Sequence, residues 1–162
     1  MDRQQISVKL TADCLGLPFK IESFQDRLIM QKAIYLAQAA GIQLGYFYHW
    51  YLHGPYSSSL TRDEYAIALD ADMDESKGWK LDNVSLQKLE KIRTLFSESE
   101  RDKLARKLEL LASVHFLIDQ KKVSKIDSDK ITETLKRFNK PFNKQEVVEA
   151  IEELKEYDLL TA

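Results

Sequence analysis

The hydrophobic pattern is densest between residues 24 and 60, where two different periods follow one another. From Phe24 to Ala40 apolar side chains recur at helical spacing on nearly every side, which predicts a helix buried over most of its surface. Ser23 is placed to act as its N-cap, and Gly41 is placed to end it in a left-handed turn. The polar positions form only a narrow stripe of Arg27, Gln31 and Gln38, with Lys32 beside it.

After Gly41 the period changes to two. Tyr46, Tyr48, Trp50 and Leu52 alternate with Phe47, His49, Tyr51 and His53. Aromatic residues at this density favour an extended strand, which should stop at Gly54-Pro55. Serines 57–59 then offer N-caps for a helix through Leu69, with Leu60 and Tyr65 among its inward side chains. The alternation does not decide which strand face meets the core.

The remaining segments also follow helical spacing. A first helix is predicted over about Arg3 to Leu15, although the alternation of Ile6, Val8 and Leu10 admits a strand. Further amphipathic helices are predicted over Val84 to Phe96, Lys103 to Gln120, Ser128 to Phe138 with Ser128 as N-cap, and from an Asn143 N-cap through Tyr157. With five glycines and three prolines in 162 residues, we expect few, long elements.

These patterns predict a mainly α fold of six or seven helices around a small aromatic β element. At this length we expect a single domain spanning residues 1–162. Its core should lie in residues 1–120, and a C-terminal helical hairpin over residues 121–162 should pack on that core.

The net charge of −2 is unevenly distributed. Residues 121–144 contain eight basic and three acidic side chains, and acidic segments flank them. Such a basic segment can bind a polyanion or can simply form a solvated face that attracts its acidic neighbours, and we favour the second interpretation. If DNA is bound, the expected contacts are Lys121, Lys122, Lys136, Arg137, Lys140 and Lys144.

The same region has the helix, proline-containing turn and helix of a helix-turn-helix motif. Its second helix, however, carries Glu146, Glu149, Glu152, Glu153 and Glu156, a poor surface to press against phosphates. We therefore favour a structural hairpin over a DNA-reading motif.

Metal and cofactor sites are not predicted. His49 and His53 would lie about 13 Å apart along a strand, too far for one zinc ion. The acidic run that begins at Asp70 fails the calcium-loop template, because Glu75 and Leu81 occupy the positions of its glycine and its bidentate glutamate. The chain has neither a P-loop nor a dinucleotide fingerprint.

Catalytic motifs are also absent from the sequence, so we expect no enzyme. No G-x-S-x-G elbow accompanies the serines after Gly54-Pro55. His115 lies on an apolar helical stripe and is interpreted as a core histidine with one hydrogen bond. The single cysteine, Cys14, cannot form an intrachain disulfide, which suits a reducing cytoplasm. With no leader peptide and no long apolar run, we expect a soluble, cytoplasmic protein.

One family resemblance covers about a quarter of the chain. A helix reading LxxQKxxYLAQ is followed by a glycine, an aromatic strand and the turn Y-x-H-G-P-Y-S-x-x-L. This order resembles the Panacea-domain proteins, which include SocA-like antitoxins, phage-associated proteins and uncharacterised bacterial and archaeal relatives. The matching positions are Leu28, Gln31, Lys32, Tyr35, Leu36, Gln38, Trp50, Tyr51, Gly54, Pro55, Ser57 and Leu60. Tyr56 departs from the small apolar residue that often follows the proline in that family.

The resemblance implies a prokaryotic, antitoxin-like interaction protein that neutralises or presents a partner, a toxin or a phage-related factor. For the partner surface we predict Tyr51, His53, Gly54, Pro55, Tyr56 and Arg62, with Gln31 and Lys32 as polar contacts of the buried helix. Exposed tyrosine and tryptophan side chains commonly form such hot spots. The alternative is a DNA-binding transcriptional regulator that uses the basic C-terminal segment.

Overall fold

A computed structural model describes residues 1–70, 72–121 and 126–160, except for the side chain of Lys121. Over these ranges the chain forms seven α-helices, a 3₁₀ turn over Arg93–Phe96 and a two-stranded antiparallel sheet. The elements are α1 (Arg3–Cys14), α2 (Phe24–Ala39), β1 (His49–Tyr51), β2 (Gly54–Tyr56), α3 (Ser58–Leu69), α4 (Asn83–Ile92), α5 (Arg101–Lys121), α6 (Ser128–Arg137) and α7 (Lys144–Glu156). The predicted mainly α fold class is confirmed.

Helix α2 lies at the centre of these elements. A capping box joins Ser23 and Asp26 at its start, as the sequence predicted for Ser23. Its apolar side chains are buried on nearly all sides, and it packs against α5, α1 and α3. Beyond its end, Gly41 adopts a φ of 103°, and the Ile42 amide returns to the Ala37 carbonyl at 3.1 Å. A left-handed residue there closes the helix as glycine does at many helix ends.

The β element is a hairpin, and here the sequence prediction needs correction. Gly54 and Pro55 do not end a long strand, since they form β2 and pair with Tyr51 and Trp50 of β1. Leu52 and His53 make the turn between the strands. Because Ser57 already caps α3, only three residues are available to pair with β1, and a strand as long as the alternation suggested has no partner.

The alternating side chains nevertheless separate into two faces. Tyr46, Tyr48 and Trp50 turn inward, whereas Phe47 and Tyr51 are exposed. Trp50 contacts the rings of Phe116 and Phe138, with ring centroids 5.8 and 5.2 Å away. The inward face therefore packs on α5 and on the residue that follows α6, which decides the question that the sequence left open.

Helix α3 presents a different face from the predicted one. Leu60, Glu64 and Ile67 are buried, whereas Tyr65 and Leu69 are exposed. The three buried residues lie at positions i, i+4 and i+7 and share one helical stripe. Because one position of this stripe is a glutamate, the apolar spacing alone does not indicate that the stripe is buried.

The C-terminal helices form a hairpin in which α7 packs on both α6 and α5. Asn143 caps α7 through a capping box with Glu146, as predicted for Asn143. The N-cap of α6 is Asp127 instead of Ser128, because its carboxylate accepts the amides of Asp129 and Lys130. In the described ranges no helix combines the length and the hydropathy that a membrane span requires.

Candidate functional site

A cavity of about 340 Å³ opens between α2, the tip of the hairpin and α3. Its lining residues are Phe24, Arg27, Leu28, Gln31, Lys32, Tyr51, Leu52, His53, Tyr56, Thr61 and Tyr65. Five of the predicted partner residues are thus brought together, namely Gln31, Lys32, Tyr51, His53 and Tyr56. Gly54 and Pro55 are buried behind the cavity, and Arg62 is exposed outside its lining.

The mouth of this cavity is surrounded by exposed apolar side chains. The exposed fractions are 57% for Phe24, 61% for Tyr51, 72% for Leu52 and 49% for Tyr65. We call these four residues the rim. Edge contact with His53, whose ring centroid lies 5.0 Å away, holds the Phe24 ring at the hairpin tip.

Sequence reasoning missed three of the four rim residues. Phe24 opens a helix that the pattern assigned to the core, and Tyr65 was placed on the inward face of α3. Leu52 falls on the alternation of Tyr46, Tyr48 and Trp50, but it lies in the turn and no longer follows the strand pleat. Only the hairpin geometry brings these side chains beside Tyr51.

Gln31 has a structural role in the wall of the cavity. Its Nε2 donates to the Ser57 carbonyl at 2.9 Å and to Thr61 Oγ1 at 2.8 Å. Its Oε1 accepts the Ser57 amide at 3.1 Å. These bonds fix the start of α3 against α2, so the amide of Gln31 is used within the protein.

Lys32 is the most unusual lining residue. Its side chain is 2% exposed, and its Nζ donates to the Pro55 carbonyl at 2.6 Å. Burial lowers the pKa of Lys32 to about 7, the nearby Glu109 carboxylate opposes this shift, and Lys140 adds to it. A buried amino group that is charged below about pH 7 and has one neutral acceptor is therefore held beside the cavity.

The carboxylate of Glu109 lies behind Lys32 but is bound by other residues. Its Oε1 accepts from His53 Nδ1 at 3.0 Å and lies 3.3 Å from Lys140 Nζ. Lys140 also donates to the Leu52 carbonyl at 2.7 Å. This network attaches the hairpin turn to α5 and to the segment before α7.

The residues of the DNA-binding alternative are used differently from the prediction. Lys140 is buried, and burial lowers its pKa, so this side chain is not available as a phosphate contact. Lys144 pairs with Asp129 at 2.9 Å, whereas Lys136 and Arg137 are exposed in the last turn of α6. Lys122 lies outside the described residues, as does the side chain of Lys121.

His115 is a buried histidine, as its place on an apolar stripe predicted. It makes two hydrogen bonds instead of the expected one, with the Tyr35 hydroxyl at 2.7 Å from Nδ1 and the Leu159 carbonyl at 3.1 Å from Nε2. Burial lowers the pKa of His115. Among the described residues, no group of three or more histidine, cysteine or acidic side chains is arranged to hold a metal ion.

Buried groups that lack hydrogen-bond partners among the described residues include the Glu64 carboxyl and the Ser113 hydroxyl. Burial raises the pKa of Glu64 to about 8, while Arg27 opposes the shift and Asp63 adds to it. At neutral pH this carboxyl is therefore mostly protonated. Its only sequence signal is the spacing of four residues from Leu60 on the inward stripe.

Comparison of the chain with protein-family models, curated proteins and solved structures finds no match.

Proposed function

We propose that this chain is a non-enzymatic protein-interaction module of the antitoxin-like kind, which acts in the cytoplasm of a prokaryote. It would neutralise or present a partner protein, a toxin or a phage-related factor. The observation that carries the proposal is the rim of four exposed apolar side chains around an open cavity. The resemblance to Panacea-domain proteins adds support, because the matching segment contains α2, the hairpin and the start of α3. The proposed cytoplasmic location is supported by the presence of a single cysteine, Cys14, which suits a reducing compartment.

A rim of this kind is suited to protein binding. Tyrosine and phenylalanine side chains bury large areas at little entropic cost, and interface hot spots concentrate on such anchors beside pockets that exclude water. Three elements converge on the rim and hold its backbone in place: Gln31 fixes α3, and Glu109 with Lys140 fixes the hairpin turn. Little backbone reorganisation is therefore needed on binding.

The proposal predicts that Tyr51→Ala with Leu52→Ala will reduce partner capture by roughly 10-fold or more. Tagged protein would be incubated with nuclease-treated lysate of its own host, and retained proteins would be quantified by mass spectrometry. Both side chains are mostly exposed, so their removal should leave the fold intact. We expect one dominant protein with wild type and its loss from the double variant.

A matched control is Phe47→Ala with Leu69→Ala, which removes two side chains that are 84% and 86% exposed but lie outside the cavity lining. This pair should retain the partner, as should Lys136→Glu with Arg137→Glu. Equal loss from both apolar pairs would contradict a specific role for the rim. Proteins that are retained only from a parallel lysate without nuclease treatment, and that are lost with the charge reversals, would indicate the DNA-binding regulator instead.

A further inference from the structure

The charged side chains that line the cavity have one sign. Its lining includes the cations Arg27 and Lys32 and the titratable His53, and among the described residues no acidic side chain lines it. Lys32 itself makes no direct ion pair among the described residues: Glu109 lies near enough to act on its charge, but the Oε1 of that carboxylate is bound by His53 and Lys140. An ammonium taken out of water without a counter-ion is costly, and a bound anion would offset that cost.

We propose that this cavity receives an acidic side chain of the partner protein, whose carboxylate binds Lys32 Nζ while an adjacent apolar side chain packs on the rim. This inference rests on the proposed function and adds the chemistry of the partner. It makes Lys32 the residue that selects an acidic segment, and it makes the rim the surface that supplies most of the buried area.

The ammonium of Lys32 has three donors, and one of them is used by the Pro55 carbonyl. A carboxylate would accept a charge-assisted hydrogen bond from another, which is stronger than a bond between neutral groups. A phosphate would bring up to two charges into a site with one buried ammonium. Arg27 is committed in part, because its Nη1 donates to the backbone carbonyls of Ile21 and Glu22. The buried ammonium of Lys32 is thus matched to a single negative charge.

The size of the apolar surface favours a protein segment over a free small acid. A small acid would fill a cavity of about 340 Å³, yet the rim extends outside it, with Tyr51 and Leu52 more than half exposed. Covering those side chains requires neighbouring residues on the same ligand. An aspartate or glutamate next to an apolar residue satisfies both requirements.

A pH dependence follows from this arrangement. In the protein without a ligand the pKa of Lys32 is about 7, and a bound carboxylate raises this pKa. Above pH 7 the complex therefore binds more protons than the unliganded protein does. Affinity should therefore be highest between about pH 5 and 7 and should fall by up to roughly tenfold per pH unit above pH 7. Glu109, Lys140 and His53 are the other charged or titratable groups near Lys32.

The test uses the full chain as bait for a phage library of random 12-residue peptides, displayed so that no free C-terminus is present. Enriched peptides would be synthesised with blocked ends, each with a twin in which Asp or Glu is replaced by Asn or Gln. We expect an acid beside an apolar residue, and roughly 10- to 100-fold weaker binding of the amide twin to the wild-type protein. Lys32→Met should bind both twins with equal, weak affinity.

Three outcomes would overturn the inference: a library without binders, binders without a carboxylate, or binders whose affinity is the same on Lys32→Met and on the wild type. Stronger binding of a small acid such as 4-phenylbutyrate than of any peptide would also overturn it. Peptides that bind the variant Tyr51→Ala with Leu52→Ala more weakly, but bind Lys32→Met as well as the wild type, would contradict only the proposed contact between Lys32 and a carboxylate. Peptides insensitive to both changes would contradict the proposed function as well.

Discussion

Between pH 5 and 8 the wild-type protein should lose about 1 kcal/mol of unfolding free energy per pH unit relative to Glu64→Gln. The carboxyl of Glu64 is buried without a hydrogen-bond partner among the described residues, and burial raises its pKa from 4.5 to about 8. Above pH 4.5 the unfolded chain releases this proton, whereas the folded protein keeps it until about pH 8. The folded state thus binds more protons in this window, so raising the pH favours unfolding.

Urea unfolding of both proteins at pH 5, 6, 7 and 8 would measure this difference. Subtracting the Glu64→Gln curve is necessary because Lys32 has the opposite effect: its pKa is lowered to about 7, so its contribution increases stability as the pH rises above 7. The amide of the variant stays buried, so its stability at pH 5 should not exceed that of the wild type. Parallel curves over the whole range would contradict a protonated Glu64.

Gly54→Ala should destabilise the protein by about 2–5 kcal/mol. Gly54 has a φ of 93°, which costs an L-residue about 1–2 kcal/mol. A β-carbon at this position would also overlap Ser113 Oγ and would lie 3.4 Å from Ser113 Cβ, inside a packed interface where crowding adds about 1–3 kcal/mol. Urea unfolding measures the sum of these two effects.

Two comparisons separate strain from crowding. Gly78 has a similar φ of 88°, but a β-carbon added there would have no atom within 4 Å. Gly78→Ala should therefore show only the loss of stability that comes from the left-handed backbone conformation. Ser113→Ala removes a buried hydroxyl that has no partner among the described residues, and should therefore be close to neutral. In combination with Gly54→Ala it should recover about 1–3 kcal/mol. Equal costs at Gly54 and Gly78, with no recovery, would show that the two residues do not collide.

The close approach of Gly54 to α5 also matters for the candidate site. It lets the next residue, Pro55, present its carbonyl to Lys32. Any side chain at position 54 that pushes the hairpin outward would therefore remove the only hydrogen bond that the Lys32 side chain makes within the described residues. We expect Gly54→Ala to weaken partner binding even where the protein remains folded.

Local signals in the sequence were sufficient for the helices. The N-caps Ser23 and Asn143 were predicted and are present, and Ser57 is the one of serines 57–59 that caps α3. A cap can be predicted because it depends only on its own side chain and on amides three residues away. The buried character of α2 was also evident, since its apolar residues leave almost no polar face. Element boundaries along the chain agree with the patterns to within one or two residues for most helices.

The β hairpin could not be predicted in the same way. Alternation describes an extended chain but not what it pairs with, and the partner of β1 proved to be the glycine and proline expected to end it. Likewise, the burial of Lys140 depends on Glu109 and Leu52, which lie 31 and 88 residues away in the chain. Such contacts are decided by the packing of distant elements.

By itself the sequence determined the helical class, the central position of α2 and most of the caps, because these follow from periodicity and from side chains within one turn. Only the tertiary structure decided which aromatic face is exposed, and only it placed Phe24, Leu52 and Tyr65 around Lys32. It also buried Glu64 without a partner among the described residues. The physical reason is that burial and electrostatic environment depend on which residues are close in space. A pattern along the sequence does not give the distances between residues that are far apart in the chain.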